Sequence, residues 1–147
     1  MVERRDVASW LQGPAARRGE DSSYAGERLG LPPDGRGRIA GFGARLAAFA
    51  VDALLCAALA WGVAGDQVWT TPIFGLEVLV LTALGGASAG QRVRGLQVVR
   101  LDGRPVGVAH AALRTVLLLL LIPALIWDRD GRGLHDKAAA TVLVHAR

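Results

Sequence analysis

Three apolar runs of about 20 residues each constrain this chain more than any other feature. That is the length an α-helix needs to cross a hydrocarbon core of roughly 30 Å at about 1.5 Å per residue. Residues 39–65 read IAGFGARLAAFAVDALLCAALAWGVAG, and from Leu46 onward Asp52 is the single charge. Residues 68–89, VWTTPIFGLEVLVLTALGGASA, contain Pro72 near the start and Glu77 within. Residues 106–127, VGVAHAALRTVLLLLLIPALIW, contain His110, Arg114 and Pro123. A helix in the core of a soluble bundle shows a polar stripe, and three such runs in 147 residues leave too little polar surface to cover them. The expected fold is therefore an all-α membrane protein with three membrane-embedded helices.

Charge is segregated in the same way. Thirteen charged residues lie in the first 38 positions, whereas residues 39–90 carry four: Arg45, Asp52, Asp66 and Glu77. The chain thus divides into a polar arm, residues 1–36, expected to be disordered, and a membrane domain, residues 37–147. The arm has no apolar h-region, so a cleavable signal peptide is not expected. The net charge of +4 does not point to nucleic acid, because the arginines flank apolar runs instead of lining one patch. Cys56 is the single cysteine, which excludes an intrachain disulfide.

The arginines also predict sides. Arg28, Arg36, Arg38 and Arg45 precede or open the first run, and the connector after it holds only Asp66, which places the amino terminus in the cytoplasm. Arg92, Arg94, Arg100 and Arg104 follow the second run and agree with a return to that side, where they can face anionic lipid. The third run has two readings: it spans and leaves the tail, residues 128–147, outside, or it bends back at Pro123 and leaves the tail inside. Residues 90–105 form a basic loop in which LQVVRL, Asp102-Gly103 and residues 104–106 read as a β-ribbon. TVLV at 141–144 is a further β-prone stretch. Short strands are steadier when paired, and pairing 96–101 with 141–144 would require a tail on the same side as the loop.

Ionisable groups at membrane depth are costly and normally face a partner inside the protein. Asp52, Glu77, His110 and Arg114 are the residues in that position. Arg45 and Asp52 share a face but lie about 10.5 Å apart along the axis, too far for easy direct pairing. Asp52 is accordingly expected to meet Arg114, or failing that Arg92, with Arg45 reaching out to lipid phosphate. The alternatives for these groups are plain helix pairing, proton or ion handling, and recognition of a headgroup or protein partner. GGASAGQ at 85–91 lacks the pattern of a nucleotide loop and reads as a helix end. His135-Asp136 has no metal-ligand spacing to the other histidines, and no nucleophile-base pair is evident. No enzyme activity, metal or cofactor is expected.

Four motifs in order, GFGARLAAFAVDALL, AGQRVRGLQVVRLDGRPV, ALRTVLLLL and GRGLHDKAAATVLV, resemble the RDD family of small integral membrane proteins over about residues 37–144. WLQGP and YAGERLGLP in the arm resemble actinobacterial-type members. The one arginine and two aspartates for which the family is named would be Arg45, Asp52 and Asp136, with His135 beside the last. Members more often carry arginine at the place of Lys137 and a large aliphatic at that of Arg94. Many also have room for a helical hairpin where only 20 residues separate Arg114 from His135. The resemblance implies a bacterial inner-membrane location and a transport role, cation-proton exchange in some members, without a substrate. Three short helices enclose little volume, so transport of a small cation or proton would need a homo-oligomer or a membrane partner. The competing expectation is a non-transporting accessory protein that binds anionic lipid or a membrane partner.

Overall fold

The computed structural model describes residues 23–120, 126 and 132–147. Most of the arm, residues 1–22, and Pro123 lie outside them, so the expected disorder and the expected break at that proline are not among the described features. Residues 23–36 hold turns and a 3-10 segment, Glu27–Leu29.

Two long helices form the centre. α1, Phe42–Leu59, runs on through a single π turn, Ala60–Ala64, that ends at Gly65 in the left-handed region. Asp66 then accepts a hydrogen bond from the Val68 amide at 2.9 Å and opens the turn into α2, Thr70–Gly85. Pro72 is tolerated because it sits in the first turn, where its missing N–H has no helical acceptor anyway. Each helix buries one narrow row: Ala48, Asp52, Cys56 and Ala60 on one, and Phe74, Val78 and Thr82 on the other. The spacing of four keeps each row on one face. Large apolar side chains cover the remaining faces, with Leu54 71% exposed and Leu84 82% exposed.

After Gly86 the chain makes a short helix, α3, Ala89–Val93, started by a reciprocal cap between Ser88 and Gln91. It leads to β1, Leu96–Arg100. α4, Gly107–Leu119, returns along α2, its main neighbour. α5, Leu134–Ala138, precedes β2, Thr141–His145.

Two expectations need correction here. The β-ribbon is not a local hairpin: β1 pairs antiparallel with β2, Leu96 opposite His145 and Arg100 opposite Thr141. The Asp102-Gly103 turn does form, with Gly103 at positive φ and Asp102 accepting from the Arg104 amide. Pro105, which has no N–H for a ladder, and Gly107 at positive φ then steer the chain into α4. The third helix is also shorter than residues 106–127. Among the described residues it covers 13 positions, about 20 Å at 1.5 Å per residue, less than a bilayer core.

β2 is flanked on its other edge by residues 37–40. His145 donates to Arg38 O at 2.9 Å, Ala40 donates to Leu143 O at 2.8 Å, and Ile39 bridges Val144. The start of α1, the loop after α2 and the C-terminal strand therefore meet in one ladder at one end of the helices. The pairing of 96–100 with 141–145 is the one that the two β-prone stretches offered beside the local ribbon.

Candidate functional site

The short α5 lets Asp136 reach in from the ladder end. Its side chain is fully buried. Arg45 Nη1 pairs with Asp136 Oδ2, Arg114 Nε donates to Oδ1 at 2.9 Å, and His135 Nε2 lies 3.4 Å from Oδ1. Arg45 Nε also donates to Ala40 O at 2.9 Å, which ties the cluster to the ladder. One carboxylate thus joins α1, α4 and α5. Burial alone would raise the Asp136 pKa. The charges of Arg114, Arg45 and His135 outweigh it and hold the carboxyl at about 2.

Asp52, two turns below Arg45, serves another element. Ser88 Oγ donates to its Oδ2 at 2.6 Å, and the Gly90 amide donates to its Oδ1. Glu77 does the same from α2, accepting from the Ala89 amide at 2.7 Å. Two helix carboxylates therefore hold the first amides of α3. α1 and α3 touch so closely that a Cβ on Gly90 would clash with the Ala48 carbonyl oxygen and lie 2.8 Å from Asp52 Oδ1.

The expected pairing of Asp52 with Arg114 or Arg92 does not occur. Arg114 is taken by Asp136, and Asp52 is satisfied by a hydroxyl and a backbone amide. Arg45 likewise turns inward to Asp136 and not out to lipid. His110 is half-buried and takes no part in the contacts to Asp136. Of the basic residues expected to face lipid, Arg92, Arg94 and Arg104 are exposed, while Arg100 is half-buried and paired with Asp102.

Arg45, Asp52, Arg114 and His135 nonetheless share one space, a cavity of about 150 Å³ between α1, α2 and α4. Ser88 and Gln91 complete its polar side, and Phe49, Phe74, Val78 and Leu118 its apolar side. Phe49 and Phe74 meet edge to face with centroids 5.3 Å apart. Glu77 does not line it. Sequence reasoning missed Ser88, Gly90 and Gln91; the Ser-x-x-Gln spacing of a capping box was the available signal. Among the described residues no three His, Cys, Asp or Glu side chains gather as a metal set.

Two helical stretches, Phe42–Ala64 and Gln67–Gly85, are long and apolar enough to cross a membrane, with mean hydropathies of 2.0 and 1.6. Only 22% and 17% of those windows are buried within the protein, unlike the core helices of a soluble domain. Neither a curated protein nor a solved structure matches the chain. The RDD family model matches residues 66–140, from the turn before α2 to the turn before β2 and including Arg114, His135 and Asp136. With that match over half of its length and two apolar helices exposing their sides, this is a membrane protein, and the chain belongs to the RDD family.

Proposed function

We propose that this RDD protein is a non-enzymatic accessory protein of the bacterial inner membrane, with the ladder end in the cytoplasm, where it engages the anionic leaflet. The carrying observation is the asymmetry of charge along the helices. Arg36, Arg38, Arg92, Arg94 and Arg104 are exposed around the ladder. Among the described residues, the charge at the opposite turn is Asp66, between the exposed Trp61 and Trp69. Arginines mark the cytoplasmic side and tryptophans sit at interfaces. Each arginine near an anionic surface contributes about 1 kcal/mol of attraction. The membrane-depth carboxylates support the same reading, because Asp52 and Glu77 are engaged in holding α3.

The test is reconstitution in mixed phosphatidylglycerol and phosphatidylcholine vesicles, followed by analysis of lipid enriched around the protein. Replacing Arg92, Arg94 and Arg104 together by glutamine should lower phosphatidylglycerol enrichment in a salt-dependent way. Unchanged enrichment would refute the reading.

One observation favours transport of a small cation or proton by a homo-oligomer or with a partner: Asp52 lines the cavity from within a membrane-length helix. A pH-gradient-driven cation flux in proteoliposomes that is lost in Asp52→Asn would support it. No flux under any gradient would remove it.

A further inference from the structure

The ladder sorts its side chains by face, and one edge carries charge on the side that faces the helices. Residues paired across an antiparallel ladder point to the same side, and successive residues alternate. Leu96 stands opposite His145 and Val98 opposite Leu143, while Ile39 stands opposite Val144 on the other side. Arg38 and Ala40 flank Ile39 and therefore share the face of His145 and Leu143. That face is the helix side: Ala40, Leu96, Val98 and Leu143 pack in one cluster with Ala48 of α1 and Ala111 of α4. Where the cluster ends, the exposed Arg38 and the half-buried His145 continue the same face. Backbone bonds bring Arg94 to the same edge. The His145 amide donates to Arg38 O at 2.9 Å, and the Ala146 amide donates to the carbonyl of Gly95, the neighbour of Arg94, at 2.8 Å.

Charge at this edge is unbalanced. Arg38 and Arg94 are exposed, and neither pairs with a carboxylate among the described residues. Asp34 and Arg36, in the turn before, offset each other. Arg147, whose side chain runs along Gly95, carries a guanidinium and the carboxylate that ends this chain, and adds no net charge. His145 thus lies among cations: burial first, then Arg38 and Arg94, push its pKa below 6.5 and keep the imidazole neutral. A phosphate between the two guanidiniums would cancel their repulsion and favour the imidazolium, which can then donate to the phosphate as well.

We infer that Arg38, Arg94 and His145 form one headgroup site, where the arginines bind the phosphate of an anionic lipid and His145 takes up a proton from solvent as it binds. The inference rests on the leaflet reading above and adds its regulation: affinity for anionic lipid rises as the cytoplasm acidifies. The coupling is reciprocal, so the factor by which lipid favours protonation is the factor by which protonation favours lipid.

The experiment places the full chain in nanodiscs of phosphatidylcholine, with or without phosphatidylglycerol, and follows the His145 titration by NMR. Phosphatidylglycerol should raise its pKa by at least about one pH unit, a tenfold coupling. A surface potential of about −30 mV moves any group at the membrane surface by roughly half a unit. The Arg38→Gln, Arg94→Gln double variant should keep only that smaller part. In mixed vesicles, phosphatidylglycerol enrichment around the wild type should be at least about threefold greater at pH 5.5 than at pH 8, and His145→Gln should lose this rise. Inorganic phosphate added to phosphatidylcholine nanodiscs should leave the pKa where it is.

An equal pKa in the two lipids, an undiminished rise in the double variant, or a pH dependence retained in His145→Gln would overturn the inference. A rise with inorganic phosphate as large as with phosphatidylglycerol would also overturn it, by making the edge a site for a free anion. Enrichment that is present but independent of pH would leave the leaflet reading standing and sink the proton linkage alone. No enrichment at any pH would sink both.

Discussion

Asp136 is where a single atom's change should be felt most. Asp136→Asn keeps the shape of the side chain but leaves Arg45 and the nearly fully buried Arg114 facing a neutral amide. Linkage sets the scale of the loss. With the carboxyl at about 2 against 3.8 in the unfolded chain, the charge contributes about 2 kcal/mol, since each pH unit corresponds to about 1.36 kcal/mol. Breaking a buried ion pair by removing one partner typically costs about 3–5 kcal/mol, which sets the upper end. The more accessible pair Arg100–Asp102, with side chains 20% and 44% exposed, is the internal control. Asp102→Asn should change stability by less than about 1 kcal/mol. Reversible unfolding in mixed micelles, followed by far-ultraviolet circular dichroism, measures both. An Arg45→Gln, Asp136→Asn double-mutant cycle should show coupling of at least about 1 kcal/mol. The same depressed pKa fixes the sign of the acid response: this contribution is complete above about 3.8 and is lost as pH falls toward 2. A value for Asp136→Asn within 1 kcal/mol of wild type, or a cycle with no coupling, would refute the argument.

Other expectations follow from the geometry. Gly90→Ala improves intrinsic helix propensity, yet it should destabilise by about 1–3 kcal/mol in the same assay, because its Cβ collides with Ala48 and Asp52; a stabilised variant would mean that α1 and α3 do not touch. With Cys56 replaced by alanine, single cysteines at Gly35 and Ala146 should react with an impermeant thiol reagent from one side and a cysteine at Asp66 from the other. Labelling of Ala146 from the Asp66 side would contradict the shared ladder. Burial, then Arg38 and Arg94, lower the His145 pKa below 6.5, so its contribution to stability is present above 6.5 and falls as pH drops below it. Replacing Arg38 and Arg94 by glutamine should raise the pKa measured by NMR titration.

The sequence made some of this legible and hid the rest for physical reasons. α1 and α2 were readable because an unbroken apolar stretch of bilayer length has few other solutions. LQVVR and TVLV were recognisable as strands from their β-branched residues, and the same-side requirement followed from pairing them. The partner of β1 was ambiguous because Asp-Gly is a strong hairpin signal, while Pro105 and Gly107 act only two residues later. Arg45 and Asp136 could be named through the family resemblance, but their contact spans 91 positions and no periodicity carries it. The partners of Asp52 were least legible. Formal charge directs attention to arginine, and the structure answers with a serine hydroxyl and a backbone amide whose access depends on a missing side chain.

The position of β2 between residues 37–40 and β1 has a consequence for how the protein is made. Ile39 and Val144 are neighbours in the ladder but leave the ribosome 105 residues apart, roughly 5–20 s at about 5–20 residues per second. During that interval the α1–α2 hairpin can already enter the bilayer, but Arg45 has to wait for Asp136. The last strand to be synthesised thus closes the ladder and supplies, just ahead of itself, the carboxylate that the first helix requires. Insertion and completion are separate events in biogenesis, and a chain stalled before residue 136 would present quality-control machinery with a buried arginine still lacking its counter-ion.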